Sequence, residues 1–188
     1  LAASGSPPRT ARSTVLHIPS PTGNAMNQII SCIALFLASQ FAVAAPVTPA
    51  EREQATRQIE QLVGHFQQYV IAKDGKALSA LFLPADNSWL TVLSEETYAE
   101  VLKKRPDARR TRASTYQQFA DYVSASKEPI EEKFSNVQIA TNGSIASVYF
   151  DFDFIDNGRV ANRGSESWHL VRTEDGWKIS SMIYSVGR

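Results

Sequence analysis

Glu166 and His169, in the stretch ESWHLVRTEDGWKISSMIYS (residues 166 to 185), set a carboxyl and an imidazole among alternating apolar residues. A carboxyl in apolar surroundings can serve as a general acid or base beside a carbonyl, and an imidazole can share that work near neutral pH. Asp151 and Asp153, in FDFDF, are a second set of carboxylates. Lys103, Lys104, Arg105, Arg109, Arg110 and Arg112 place six cations in ten residues, a set able to hold phosphate or carboxylate groups, although a solvated loop needs no further explanation. His17, His65 and His169 are too scattered in the chain to share a metal ion, and no phosphate loop, dinucleotide fingerprint or nucleophile elbow is present. The sequence therefore implies no cofactor and no metal site.

The elements that must position these groups are legible in the periodicity. From Pro129 onward apolar residues alternate, and the turn signals Asn142-Gly143, Asp156-Asn157-Gly158 and Asp175-Gly176 divide the stretch into four strands of an antiparallel meander. Before it, Thr48-Pro49-Ala50-Glu51 is a capping box. Ala55, Ile59, Leu62, Val63, Phe66, Tyr69 and Val70 follow it at helical spacing, with His65 at the edge of the stripe. A shorter helix capped by Asp74 and ending near Pro84, a strand over Ser88 to Leu93, a helix capped by Ser94 and a helix from Ser114 to about Ser124 complete the pattern. Helices first and strands after predict an α+β fold, with helices packed on one face of a curved antiparallel sheet.

The hairpins also predict which way each side chain points. A three-residue loop at Asp156-Asn157-Gly158 pairs Ile155 with Arg159 and sends Val148, Phe150, Phe152, Phe154, Val160, Glu166, Trp168 and Leu170 to the helix-covered face. An even loop at Asp175-Gly176 adds Trp177, Ile179, Ser181 and Ile183. Tyr149, Asp151, Asp153, Arg163, His169, Ser180 and Tyr184 take the other face, with Asp151 opposite Arg163 as a cross-strand charge pair. Glu166 is the exception to an apolar interior, expected beside Val148, Ile183 and Ser181. Burial there would raise its pKa unless a ligand or water-filled pocket solvates it.

The chain is 43% hydrophobic and 20% charged, with 19 basic and 19 acidic residues. Neutral net charge gives no global field for nucleic acid or an anionic membrane. Residues 1–25, rich in Ser, Pro, Thr, Ala and Gly, read as disordered and upstream of a true start at Met26. Residues 26–44 read as a signal peptide, with an apolar run from Ile29 to Ala38 that is too short for a stable membrane span and contains Cys32, the chain's one cysteine. Residues 45–188 are expected to form a single domain, secreted or periplasmic after cleavage.

From about Pro49 to Ser185 the order of elements and several phrases resemble the nuclear transport factor 2-like superfamily, particularly its SnoaL-like branch. YVIAKDGKALSALFLPADNSWLTV is similar to the family's helix, short helix and first strand; SNVQIATNGSIASVYFDFDF and SWHLVRTEDGWKISSMIYS are similar to its later strands. Asp-Gly-Trp-Lys-Ile followed by a strand ending in Ser is the most specific piece. The resemblance implies a cystatin-like cone, a curved antiparallel sheet wrapped over N-terminal helices with a pocket between them. Its members include ketosteroid isomerase-like and dehydratase-like enzymes, polyketide cyclases, and non-catalytic binding or dimerisation modules, so the fold alone assigns no chemistry. In the enzymes a carboxylate on the first strand or the inner sheet commonly serves as base, and here SWLTVL offers none.

Three functions follow as expectations. The first is a secreted or periplasmic binding module that holds a small apolar or aromatic molecule, anionic ones included, between walls of Trp89, Tyr98, Tyr116, Phe152 and Trp168. Glu166 would anchor that molecule, with an arginine near Arg109 at the mouth. The second is an isomerase, dehydratase or cyclase with Glu166 as general acid or base. The third is a domain that only dimerises, through the face bearing Tyr149, His169 and Tyr184. A homodimer is expected, and no nucleic-acid partner.

Overall fold

Helix α1 (Pro49–Ala72) starts at the cap foreseen for it. The Thr48 hydroxyl accepts from the Glu51 amide at 3.2 Å, and the Glu51 carboxylate accepts from the Thr48 amide at 2.8 Å. The structure is a computed structural model that describes residues 47–85 and 88–187, so the segment 1–25, the signal peptide at 26–44 and Cys32 lie outside the described residues. Helix α2 (Gly75–Ser79) is capped by Asp74, whose carboxylate accepts from the Ala77 amide at 2.9 Å. It is shorter than expected because Phe82 leaves the helix to bridge Ile179. Strand β1 (Ser88–Leu93) leads into α3 (Glu95–Lys104), then the short strand β2 (Thr111–Ala113) and helix α4 (Tyr116–Ala125). Thr115 caps α4 with a capping box to Gln118, one residue later than the Ser114 start expected.

The remaining chain is the meander of β3 (Ile130–Thr141), β4 (Ile145–Asp156), β5 (Arg159–Thr173) and β6 (Gly176–Val186). The six strands make one sheet in the order β2-β1-β6-β5-β4-β3, antiparallel except that β1 runs parallel to β6. Strand β2 occupies part of the basic stretch that reads as loop in the sequence.

Two details of register differ from expectation, and both are bulges. At the β4–β5 hairpin the turn is only Asn157-Gly158, with φ of 48° and 74°, so Asp156 pairs with Arg159. The asparagine tolerates positive φ and the glycine has no Cβ to oppose it. Ala161 is then an extra residue on β5 that restores the parity, so Phe150, Phe152 and Phe154 face inward as expected. Val160, before the bulge, turns out and is 46% exposed. The charge pair becomes Asp153 with Arg163, at 3.2 Å, instead of Asp151 with Arg163. Asp151 is held by Asn136 at 2.8 Å and Ser165 at 2.7 Å.

On β6, Ser180 is the extra residue. It reverses everything after it: Met182 is buried and Tyr184 packs against the core, while Ile183 is 46% exposed and Ser181 accompanies His169 outside, 3.0 Å away. The expected inward Ser181 and Ile183 and outward Tyr184 are thus exchanged.

The core lies between α1 and the inner sheet. Phe66 meets Trp168 at 4.9 Å between ring centroids, and Trp168 meets Phe150 edge-on at 4.9 Å. Each fully buried large side chain contributes roughly 1.5–3 kcal/mol. Gln67 donates to the Glu132 carbonyl at 3.0 Å and ties α1 to β3.

Candidate functional site

Strand alternation assembles the site. On β1 the inward positions are Trp89, Thr91 and Leu93; on β4 they are Phe152 and Phe154; on β5, Asn162 and Glu166; on β3, Glu132; on β6, after its bulge, Tyr184 and Val186. The helices close the other side with Phe66 from α1 and Gln118, Phe119 and Tyr122 from α4. The result is a cavity of about 770 Å³ whose rim carries Arg105, Arg109, Arg110 and Arg112.

Glu166 is 4% exposed and Glu132 6% exposed, and one oxygen of each, Oε2, has no hydrogen-bond partner among the described residues. Burial is the first cause of the shift in both: it raises Glu132 to about 8 and Glu166 well above the usual carboxyl range. The nearby Glu132 charge raises Glu166 further. The Trp168 indole N–H pulls slightly the other way, without the geometry of a formed hydrogen bond. At neutral pH the pair is therefore predominantly protonated, and each carboxyl can offer an O–H donor to a ligand oxygen. The Thr91 hydroxyl, also buried and without a partner among the described residues, adds a third polar point on the wall.

The expected site residues divide. Glu166, Trp89 and Phe152 line the cavity. Glu166 pairs with Phe150 and Tyr184, not with Val148 and Ile183 as expected, because the two bulges shift both registers. Trp168 does not line it; it is fully buried behind the wall, in the aromatic core. Tyr116 does not line it either; it is buried, stacked on Phe82 at 4.7 Å between ring centroids. Tyr98 also misses the cavity, and its hydroxyl donates to the Ala108 carbonyl at 3.0 Å, pinning the rim loop. Asp151, Asp153 and His169 sit on the outer face in hydrogen bonds and an ion pair of their own. The basic stretch is the largest revision, since four of its arginines ring the opening.

Sequence reasoning missed Glu132. Ile130, Glu132 and Phe134 alternate, but pairing carried straight on from the Asn142-Gly143 turn would set Glu132 opposite Ile155; a register shift between Ser135 and Gln138 moves it opposite the inward Phe154. Among the described residues no cluster of His, Cys, Asp and Glu could hold a metal ion, and no helix is long and apolar enough to cross a membrane.

No protein-family model matches the sequence, and no curated protein matches it either. Solved structures do match in fold. A protein provisionally named a scytalone dehydratase, from Novosphingobium aromaticivorans DSM 12444, is 14% identical, with 75% of this chain and 89% of that one covered at a TM-score of 0.57. An NTF2-like protein with a cystatin-like fold from Novosphingobium aromaticivorans is 11% identical over 88% of this chain and 92% of its own, at 0.53. A protein provisionally named a dehydratase of the NTF2-like family, from Streptomyces avermitilis, is 18% identical over 72% and 98%, at 0.51. Identities this low speak to architecture and not to chemistry. With its helices followed by a curved sheet that closes around a cavity, the chain has the nuclear transport factor 2-like, cystatin-like fold.

Proposed function

We propose that this chain is a small-molecule-binding protein of the SnoaL-like kind, secreted or periplasmic after removal of residues 26–44, whose cone holds an apolar or aromatic ligand. One observation carries the reading: the cavity wall includes two buried carboxyls, Glu132 and Glu166, each with an oxygen that no group among the described residues satisfies. A buried polar atom without a partner costs about 1–3 kcal/mol, and a ligand oxygen in the cavity offsets that cost. The aromatic lining of Trp89, Phe119, Phe152 and Tyr184 suits a flat apolar body. Native mass spectrometry of residues 45–188 tests this. The expected result is a mass excess lost on denaturation, or an adduct formed with added 2-acetylnaphthalene; a protein that stays empty in both cases overturns the reading.

The protonation of the pair favours acid–base catalysis as a second reading. A neutral carboxyl at pH 7 is a proton donor, suited to protonating a departing hydroxyl in a dehydration or a developing enolate oxygen. Two neighbours in fold carry dehydratase names. On this reading turnover declines as pH rises and the carboxyls ionise, and Glu166→Gln, which cannot release a proton, loses turnover while keeping ligand affinity. Full turnover in Glu166→Gln would reject it.

A further inference from the structure

We propose that the ligand is an elongated acid: an aromatic or apolar body with an anionic group held at the rim by Arg105, Arg109 and Arg112, and a carbonyl oxygen received at the base by Glu132 and Glu166. This rests on reading the cone as a binding pocket and adds the class of molecule it takes.

The rim argument starts from charge without partners. Arg110 is engaged, with an ion pair to Glu95 at 2.9 Å and a hydrogen bond to the Leu93 carbonyl at 3.0 Å. Among the described residues Arg105, Arg109 and Arg112 form no ion pair and no side-chain hydrogen bond, yet all line the same opening. Like charges gathered at one edge repel, and an anion between them removes that cost while accepting the guanidinium donors. Their positions are set by the fold. Arg105 ends α3, Tyr98 pins the loop at Ala108, and Arg112 pairs with Thr91 across β1 and β2, which places it on the cavity face.

The base argument is independent of the rim. Glu132 and Glu166 are more than nine-tenths buried, line the cavity and keep an unpartnered oxygen each. A second anion there would stand in buried, uncompensated surroundings, whereas a carbonyl oxygen accepts from a neutral carboxyl. Burial first, and then the Glu132 charge, raises Glu166, which favours the neutral form at this end of the cavity. Trp89, Phe119, Phe152 and Tyr184 line the same cavity as the exposed arginines and the buried carboxyls. A ligand that satisfies both ends is therefore long, with unlike polar groups at its termini.

Titration calorimetry with three rigid probes tests this: 6-acetyl-2-naphthoate carries both groups, 2-naphthoate lacks the ketone and 2-acetylnaphthalene lacks the acid. At about pH 6.5 the two-ended probe binds tightest, with each single-ended probe weaker by about tenfold, the size of one good polar contact. The triple variant Arg105→Gln, Arg109→Gln, Arg112→Gln loses about tenfold for the two-ended probe and leaves 2-acetylnaphthalene unchanged. These arginines are exposed, so the variant folds. Raising the pH to about 9.5 weakens the two-ended probe on the wild type and leaves the Glu132→Gln, Glu166→Gln variant unaffected, because an amide keeps its donor. If 2-acetylnaphthalene binds as tightly as the acid and the arginine variant changes nothing, the ligand class is wrong although the pocket stands. If none of the three binds, the pocket reading falls with it.

Discussion

Two carboxyls removed from water on one wall set the pH response of the molecule. Glu132 has its pKa raised from 4.5 to about 8 and Glu166 is raised well above the same usual value, each first by burial. Between about 4.5 and about 8 the folded chain keeps protons that the unfolded chain has released, so stability is full below that window and declines as pH rises through it. The decline is at most about 1.4 kcal/mol per pH unit for each proton. The melting temperature is expected to fall between about pH 5 and pH 8, and to fall less steeply in Glu132→Gln, where Glu166 alone still holds its proton; calorimetric scans across that range would show it. A flat profile in the wild type would place these carboxyls in water. Glu166 was legible as an inward carboxyl because alternation alone fixes its face. Tyr98, Tyr116 and Trp168 were not separable from true wall residues, since sequence identifies an aromatic ring on an inner face without saying how deep in the cone it lies.

At the scale of elements, hairpins follow from local chemistry and bulges do not. Asn142-Gly143, Asn157-Gly158 and Asp175-Gly176 hold their turns through residues that accept positive φ at Gly143, Asn157, Gly158 and Gly176. The extra residues Ala161 and Ser180 carry no such signal. They are accommodated because two strands of different curvature must stay paired around a cone, a property of the pair and not of either sequence. Close approach of strands supplies a test. A Cβ on Gly164 would collide with the Ser185 backbone carbonyl where β5 and β6 converge beside Glu166. Gly164→Ala is expected to destabilise by roughly 1–3 kcal/mol, the usual cost of overpacking, read as a lower urea midpoint at constant slope. An unchanged midpoint would mean the strands can part without loss.

For the molecule as a whole, the outer sheet face is where the expected homodimer can be tested. Tyr149 is 47% exposed, and Ile145 and Ile183 are exposed beside it, an apolar presence that a homodimer would cover. Tyr184, expected there, belongs to the pocket. Tyr149→Lys with Ile183→Asp is expected to give a monomer in sedimentation analysis while changing fold stability by no more than about 0.5 kcal/mol, as surface substitutions do. Wild-type protein sedimenting as a monomer would remove the dimer.

The sequence by itself determined the order of elements apart from β2, the caps of the first three helices, the three hairpins, the inward face of FDFDF and of Glu166, and through these the α+β cone. All of it rests on interactions within a few residues, or on a period of two, which a linear chain displays. Tertiary structure alone decided that Tyr184 turns inward, that Glu132 joins Glu166, and that arginines from a stretch resembling loop gather around one opening. Those outcomes depend on bulges and on strand order, β1 lying beside β6 above all, which bring together residues nearly a hundred positions apart.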